Sequence, residues 1–475
     1  MSIPVRRWIA LAAVLGAVSG CGTTIGNPLR QQAAPADDSP YGRAAPASAE
    51  GITYQPDVVV VDGGAGVVRA VSADGLTWTL DAAATGLDGL EPGEVMFLTA
   101  RAAGRVADLR RDGDAVTVAL APVQLTEVIR DGRLTLDTEL DAGDLADATV
   151  QLVPDLPGTL GEPTAEETEL PRLGHGPLVR LRQDGGGLPT PNRSKIDFSV
   201  GDWGVTTAVD AKALTVSLSN KRSENLKLGA DITLGYSSLR LAADVVLRAG
   251  AVAGSAFTVT GLRYLDLNLH AGAANGVNDN QKVRVEVPAE VVNKGFLVGG
   301  VPMVFNMKVK VFAETALTGK NATLTAHGRW GLDGPVGVEN GAATSPAFSV
   351  ITSIMDSISG ISLGPSGLVV GAEFRFMLGL GVPGTMGGVY VKLRTSAGVT
   401  NGSALSMSIP KCVRADLLIK GGGGVGFAVG SDLLDRISER LPGKPKLKIE
   451  GETEYLGTIA ERSQTLPQNA LCLGS

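Results

Sequence analysis

From about residue 57 onward, hydrophobic and polar positions alternate with a period of two. RYLDLNLH sets Leu265, Leu267 and Leu269 against Asp266, Asn268 and His270. QKVRVEV does the same with Val283, Val285 and Val287. MVFNMKVKV places Met303, Phe305, Met307, Val309 and Val311 opposite Asn306, Lys308 and Lys310. AEFRFML, VYVKLRT and KLKIEGE continue the pattern. Side chains on a strand point alternately to its two faces, so this alternation predicts strands with one buried and one wet face, as in antiparallel sheets. About ten such runs follow residue 196. The fold class expected is all-β, with residues 196–475 forming a large antiparallel β sandwich or an extended curved sheet.

Residues 56–152 read as a small β domain of hairpins. VVRAVSADGLTWTLD, RVADLRRDGDAVTVAL and TEVIRDGRLTLD each place an Asp-Gly pair, at 74–75, 112–113 and 131–132, between strand-like runs. Asp-Gly suits the type I′ turn, whose two central residues need positive φ. The stretch LEPGEVMFL, followed by GRVADL and APVQLTEVI, is similar to a small β module of bacterial surface proteins, and this likeness names no ligand. Residues 153–195 are rich in Pro, Gly and Glu and read as a linker, with PLVRLRQD alternating briefly inside it. Two short helices are expected in the large domain. FSVITSIMDSIS gathers Val350, Ile351, Ile354, Met355 and Ile358 on one helical face. SDLLDRISERLPG does so with Leu433, Leu434, Ile437 and Leu441, with Ser431 as N-cap and Pro442-Gly443 as the stop. Both are expected to plug the ends or edges of the sheet.

Motifs that invite a chemical reading lack the context their chemistry needs. Gly421 to Gly426 satisfies G-x-G-x-x-G, and Glu450 follows at a suitable distance. A dinucleotide site needs a parallel sheet after it, and only 25 residues remain beyond Glu450. A glycine-rich strand or bulge at a close approach is the expectation instead. Gly360 to Gly364 matches G-x-S-x-G, yet a nucleophile elbow runs strand, turn, helix, with its histidine later in the chain. His175, His270 and His327 all precede it, and none has metal-ligand spacing to another. Ser362 is therefore read as a turn residue. No phosphate loop occurs, since Gly319-Lys320 and Gly443-Lys444 are followed by Asn and Pro. No catalytic, cofactor-binding or metal residues are assigned.

The N-terminus carries the one stretch with defined chemistry. Arg6 and Arg7 precede an uncharged apolar run, Ile9 to Gly20, too short to span a bilayer. A basic start, a short apolar core and small residues before a cut describe an export signal. Val18-Ser19-Gly20-Cys21 resembles the lipobox of bacterial lipoproteins. The resemblance covers about 25 residues. It implies that residues 1–20 are removed and that Cys21 carries thioether-linked diacylglycerol and an acylated (palmitate-type) amine. It also implies a cell-envelope location. Gly22 is not the aspartate associated with inner-membrane retention, so the outer membrane is expected, on its periplasmic or surface face. Residues 21–55, rich in Ala, Pro, Ser and Asp, read as a disordered tether.

Composition narrows the field. Removing Arg6 and Arg7 with the leader takes the formal charge from −7 to −9. So acidic a chain is a poor partner for nucleic acid. Aromatics at 4% argue against the interfacial girdles of a transmembrane barrel. With Cys21 acylated, Cys412 and Cys472 remain as an even pair in an exported chain, and one disulfide between them is expected. The functional expectation is a non-enzymatic envelope lipoprotein with a structural or interaction role, partnered by the bilayer through its acylated end. A carrier of lipid or another hydrophobic ligand is the alternative, since Met303 and Met307 on an apolar sheet face could line a permissive surface. An envelope hydrolase is the third reading.

Overall fold

The computed structural model describes residues 51–72, 75–99, 101–140, 149–152, 178–180, 192–193, 195–200, 203–220, 226–273, 284–317, 322–360, 366–382, 385–402, 412–429 and 453–468. The first strands are β1 Thr53–Tyr54, β2 Val58–Val61, β3 Val68–Val71, β4 Thr77–Asp81, β5 Val95–Leu98, β6 Ala102–Asp112 and β7 Ala115–Ala121. One helical turn, α1 Leu125–Val128, precedes β8 Ile129–Glu139 and β9 Thr149–Leu152. Next come β10 Leu178–Arg180, β11 Asn192–Arg193, β12 Lys195–Val200, β13 Trp203–Val209, β14 Ala213–Asn220, β15 Leu226–Arg248 and β16 Ala251–Ala273. They are followed by β17 Arg284–Val298, β18 Val301–Leu317, β19 Ala322–Asp333, β20 Val336–Glu339, β21 Ala342–Thr344 and β22 Ala347–Thr352. A second helical turn, α2 Ile354–Ser357, leads to β23 Ser366–Val382, β24 Thr385–Gly402, β25 Cys412–Val429 and β26 Thr453–Leu466. The all-β class holds: the described residues build mostly antiparallel sheets, with two short α-helical turns and no closed barrel among them.

A six-stranded sheet in the order β2-β5-β6-β7-β4-β3 takes up residues 58–121. Two of the expected hairpins form. Gly75 at φ +68° turns β3 into β4, and Trp78 Nε1 donates to its carbonyl at 2.8 Å. Gly113 at φ +58° turns β6 into β7, but Asp112 already pairs with Ala115, so the loop is Gly113-Asp114 and not the expected type I′ Asp-Gly turn. The third does not form. Asp131 and Gly132 lie inside β8, which runs straight along β15, from Gly132 opposite Leu247 to Glu139 opposite Arg240. Pairing with a distant strand overrides the local turn preference here. The Asp131 carboxylate instead accepts the Ala249 amide at 2.9 Å. Just before it, α1 is closed by a capping box in which the Gln124 amide donates to Glu127 Oε2 at 2.8 Å.

Two larger sheets follow. The first has the order β12-β13-β14-β15-β16-β19-β22, with β8, β1, β20 and β21 attached. The second has the order β11-β9-β17-β18-β23-β24-β25-β26, and β10 joins β17 in parallel. Thus β10 and β11, within the stretch expected to link the domains, are strands of the second sheet. β15 and β16 each run 23 residues, about 75 Å at 3.3 Å per residue. Midway, the pair is bulged between Tyr236 and Arg240. There β15 changes partner from β14 to β8, and β16 from β19 to β20. Gly261 stands opposite at φ +91°, where a Cβ would meet the carbonyls of Ser237 and Ser238 at 2.5 Å.

One hydrophobic core spans both large sheets and reaches into the small one. Leu265, Leu267 and Leu269 are buried in it, as are Met303, Phe305, Met307, Val309 and Val311. β5 is buried on both faces. Val95 and Phe97 join the large core, while Met96 and Leu98 join the core of the small sheet. The small sheet therefore packs directly onto the sandwich through β5. The expected helix over 348–359 is corrected: 347–352 form β22 on the edge of β19, and only Ile354–Ser357 are helical. Ser353 Oγ accepts the Asp356 amide at 3.4 Å and caps that turn. Ile354 and Met355 are buried as a helical face requires, whereas Val350 and Ile351 are exposed. The helix expected over 431–441 and the strand KLKIEGE lie outside the described residues. Gly261→Ala should cost about 2 kcal/mol or more, from positive φ and the close carbonyls. A fall in denaturant midpoint at constant slope measures it, and an unchanged midpoint would refute the required bulge.

Candidate functional site

The residues singled out from the sequence scatter. His327 Nε2 lies 3.3 Å from Asp266 Oδ2, and Arg329 Nε lies 3.2 Å from the same oxygen, on the exposed face of the first sheet. His270 occupies that face four residues beyond Asp266 on β16, opposite Thr325. Ser357 Oγ binds the backbone of His327, 2.7 Å from both its amide and its carbonyl, so no hydroxyl–imidazole pair is made there. Among the described residues, no three His, Cys, Asp or Glu side chains converge as metal ligands. Cys21, His175, Ser362 and Cys472 lie outside the described residues. Cys412 opens β25 opposite Gly402. Met303 and Met307 are packed core. Between the sheets, a gap lined by Ile232, Leu265, Leu267, Trp330, Val370 and Thr395 has room for about one water molecule.

The glycine run belongs to a strand. β25 continues through Gly421 to Gly426, antiparallel to β24 and β26. On the core side, a Cβ at Gly423 would meet the Tyr390 carbonyl at 2.2 Å and Val338 of β20 at 3.2 Å. On the other side, a Cβ at Gly422 would meet the Tyr455 carbonyl at 1.9 Å. The bare strand thus admits β20 from the opposite sheet on one face. On its other face it leaves an open path between β24 and β26.

That path carries a buried ionic network that the alternation hid. Asn306 and Lys308, expected on a wet face, are 6% and 5% exposed, because the second sheet is buried on both sides. In register across it stand Lys308 beside Arg375, Arg375 beside Lys392, and Glu373 beside Arg394. Glu373 accepts Arg394 at 2.7 Å and Arg375 at 3.3 Å, and Lys392 lies 3.9 Å away. Lys392 also reaches over Gly422 to bond Glu454 of β26. Tyr390 Oη donates to the same carboxylate at 2.9 Å across Gly424. Burial works to raise the Glu454 pKa, but Lys392, Tyr390 and Arg394 outweigh it and hold the carboxyl below its ordinary range. A carboxylate so stabilised is a weaker base, the reverse of what a general base at neutral pH requires. The network therefore acts as a clamp on the last strand.

A second feature is exposed. Large apolar side chains open to solvent among the described residues are Val350, Ile351, Tyr455 and Leu466. All four lie on β22 or β26, each of which ends one of the two large sheets. These strands sit beside one another, forming an open seam of the sandwich. The Tyr455 ring fits against Gly341, and Gly457 against Ala343. The helical reading of FSVITSIMDSIS concealed the seam. Its signal was present in the β-branched run Val350-Ile351-Thr352.

Lys392→Met should destabilise the fold by about 1–3 kcal/mol by leaving the partly buried Glu454 without its nearest cation. Adding Glu454→Gln should recover part of that loss in urea unfolding. Because the folded pKa of Glu454 is depressed, its contribution is complete above the unfolded value, about 4.3. It is lost as pH falls through the folded value. The wild type should lose more stability over that acid range than Glu454→Gln does, and equal slopes would refute the clamp.

A family model described as Domain of unknown function (DUF8403) matches residues 37–131. One described as Domain of unknown function (DUF8402) matches residues 185–454, more than half of the chain. No curated protein and no solved structure matches. The second match takes in most of the β sandwich and ends at Glu454, the second residue of β26, and the chain belongs to the DUF8402 family.

Proposed function

We propose that this chain is a lipid-anchored protein of the bacterial cell envelope whose role is interaction rather than catalysis. The observation that carries the interaction role is the seam, where exposed apolar side chains are concentrated on two adjacent terminal strands. Monomeric proteins blunt such edges, so an open apolar one marks a contact surface. The anchor rests on the leader and on Cys21, whose acyl chains hold the protein at the membrane at about 0.8 kcal/mol per buried CH2. The tether expected over 21–55 is shortened to 21–50, because Thr53 and Tyr54 form β1 on β8 and Ile52 packs on the core. No helix among the described residues is long and apolar enough to cross a membrane. Met303 and Met307, the side chains read as the lining of a lipid carrier, are packed in the core. The Cys412–Cys472 bridge belongs to the same proposal. Val413 pairs with Leu466, the last residue of β26, and Cys472 follows six residues later. The bridge would fasten the end of β26 opposite the Glu454 clamp.

Cells fed an alkyne analogue of palmitate should label the wild type in the membrane fraction. Cys21→Ala should be unlabelled and soluble or unprocessed, and persistent label would overturn the anchor. A photo-crosslinker at position 350 should give a defined larger species in intact envelopes, and the same group at position 215 should not. Identical patterns would remove the interaction role. Non-reducing peptide mapping should join Cys412 to Cys472, and reduction should cost about 3–4 kcal/mol. Free thiols at both positions in the oxidised protein would refute the bridge.

A further inference from the structure

The four strands that end the main paths of the two large sheets are not alike. β12 carries Lys195 and Asp197, exposed and 3.2 Å apart. β11 has two residues, one of them Arg193. β26 carries Glu461 and Arg462, both exposed. Charges and short length on an edge are the usual protection against pairing with a further strand. β22, Ala-Phe-Ser-Val-Ile-Thr over 347–352, has neither charge nor internal proline. Its Val350 and Ile351 are 53% and 60% exposed.

The ends of this strand are charged in one sense. Asp333 pairs in register with Ala347 at its start and is exposed. Asp356 follows its end on α2 and is also exposed. The nearby cation Arg329 is turned away onto the outer sheet face, bonded to Asp266 and stacked 4.0 Å above the Tyr264 ring. The edge thus offers an apolar, β-branched centre between two carboxylates.

We propose that β22 is a strand-addition site for an extended segment of another protein, with an alternating β-branched core and basic residues at both ends. Backbone hydrogen bonds would supply affinity, and alternate side chains would supply the fit. A directly opposed residue shares a face with its partner, so the guest's side chains would meet Ser349 and Ile351 on the outer face and Phe348 and Val350 on the inner one. The two terminal carboxylates select the cationic flanks. A second copy of this chain suits the site less, because its β22 would bring its own Asp333 and Asp356 to the same edge.

This inference rests on the interaction role of the seam, and its test leaves the anchor aside. The full chain bearing Cys21→Ala is titrated with the labelled peptide KKVTVTVKK, followed by fluorescence anisotropy. Saturable binding is expected. EEVTVTVEE should bind at least tenfold more weakly, and KKVTPTVKK, whose central proline removes a donor, should not bind. Val350→Lys with Ile351→Lys should weaken binding at least tenfold while the circular dichroism and melting temperature stay unchanged. Asp333→Lys with Asp356→Lys should reverse the peptide preference, giving a second reading should the first variant fold poorly. No binding, equal binding of the acidic peptide, or equal binding by both variants overturns the proposal. So does a concentration-dependent dimer of the chain that Val350→Lys with Ile351→Lys dissolves, which would make a second copy the occupant. A crosslink at position 350 without peptide binding would leave the interaction role standing and remove strand addition.

Discussion

The second large sheet is buried on both faces, and much of the architecture answers that constraint. A sheet with two covered faces ordinarily carries hydrophobic side chains on both. This one instead places Lys308, Glu373, Arg375, Lys392 and Arg394 on its second face. Buried charges persist only when partnered, so β23 and β24 set Glu373 among Arg375, Lys392 and Arg394. The requirement reaches the next strand. Glu454 stands two strands from Lys392, roughly 9–10 Å at ordinary strand spacing, and the contact is possible only because β25 has no side chain in between. The glycines therefore serve both faces at once: they admit β20 to the core and let Lys392 and Tyr390 hold β26.

The same logic of shared surfaces joins the small sheet, which has a core of its own, to the sandwich. β5 divides its residues, sending Val95 and Phe97 into the sandwich and Met96 and Leu98 into the small sheet. The chain then returns through β8, which pairs with β15 beyond the bulge at Tyr236 to Arg240. Two bidentate pairs, Arg133 with Asp244 and Arg240 with Asp137, cross that junction on the exposed face. Solvent screens exposed pairs of this kind, so they fix register more than they add stability. The hydrophobic continuity through β5 carries the attachment.

Legibility from the sequence followed the range of the forces involved. Alternation around Leu265 and Met303 could be read directly, because a strand's own period decides which side faces a core. The turns at Gly75 and Gly113 were readable for the same local reason. The identical dipeptide at Asp131-Gly132 was not, since its fate depends on β15, more than a hundred residues away. Lys308 and Asn306 looked wet because one strand cannot report what covers its polar face. The charged positions Glu373, Arg375, Lys392 and Arg394 were each visible, but their meeting is a property of register between strands. The stretch 347–352 satisfied a helical period and a strand propensity together, and the open edge of β19 decided between them.

The contrast between the two terminal strands at the seam then becomes informative. β26 is secured by Lys392 and Tyr390 at Glu454, and it carries its own charges at Glu461 and Arg462. It is an edge that the fold both clamps and protects. β22 is attached to β19 along one side, packs Phe348 inward, and leaves Val350 and Ile351 in water. Stability alone does not require that arrangement, because a lysine at either exposed position would protect the edge at little cost. An acidic chain that places charge on the other three terminal strands and none on this one is treating β22 differently. That difference, more than the hydrophobicity of two residues, is the reason to assign contact to this edge.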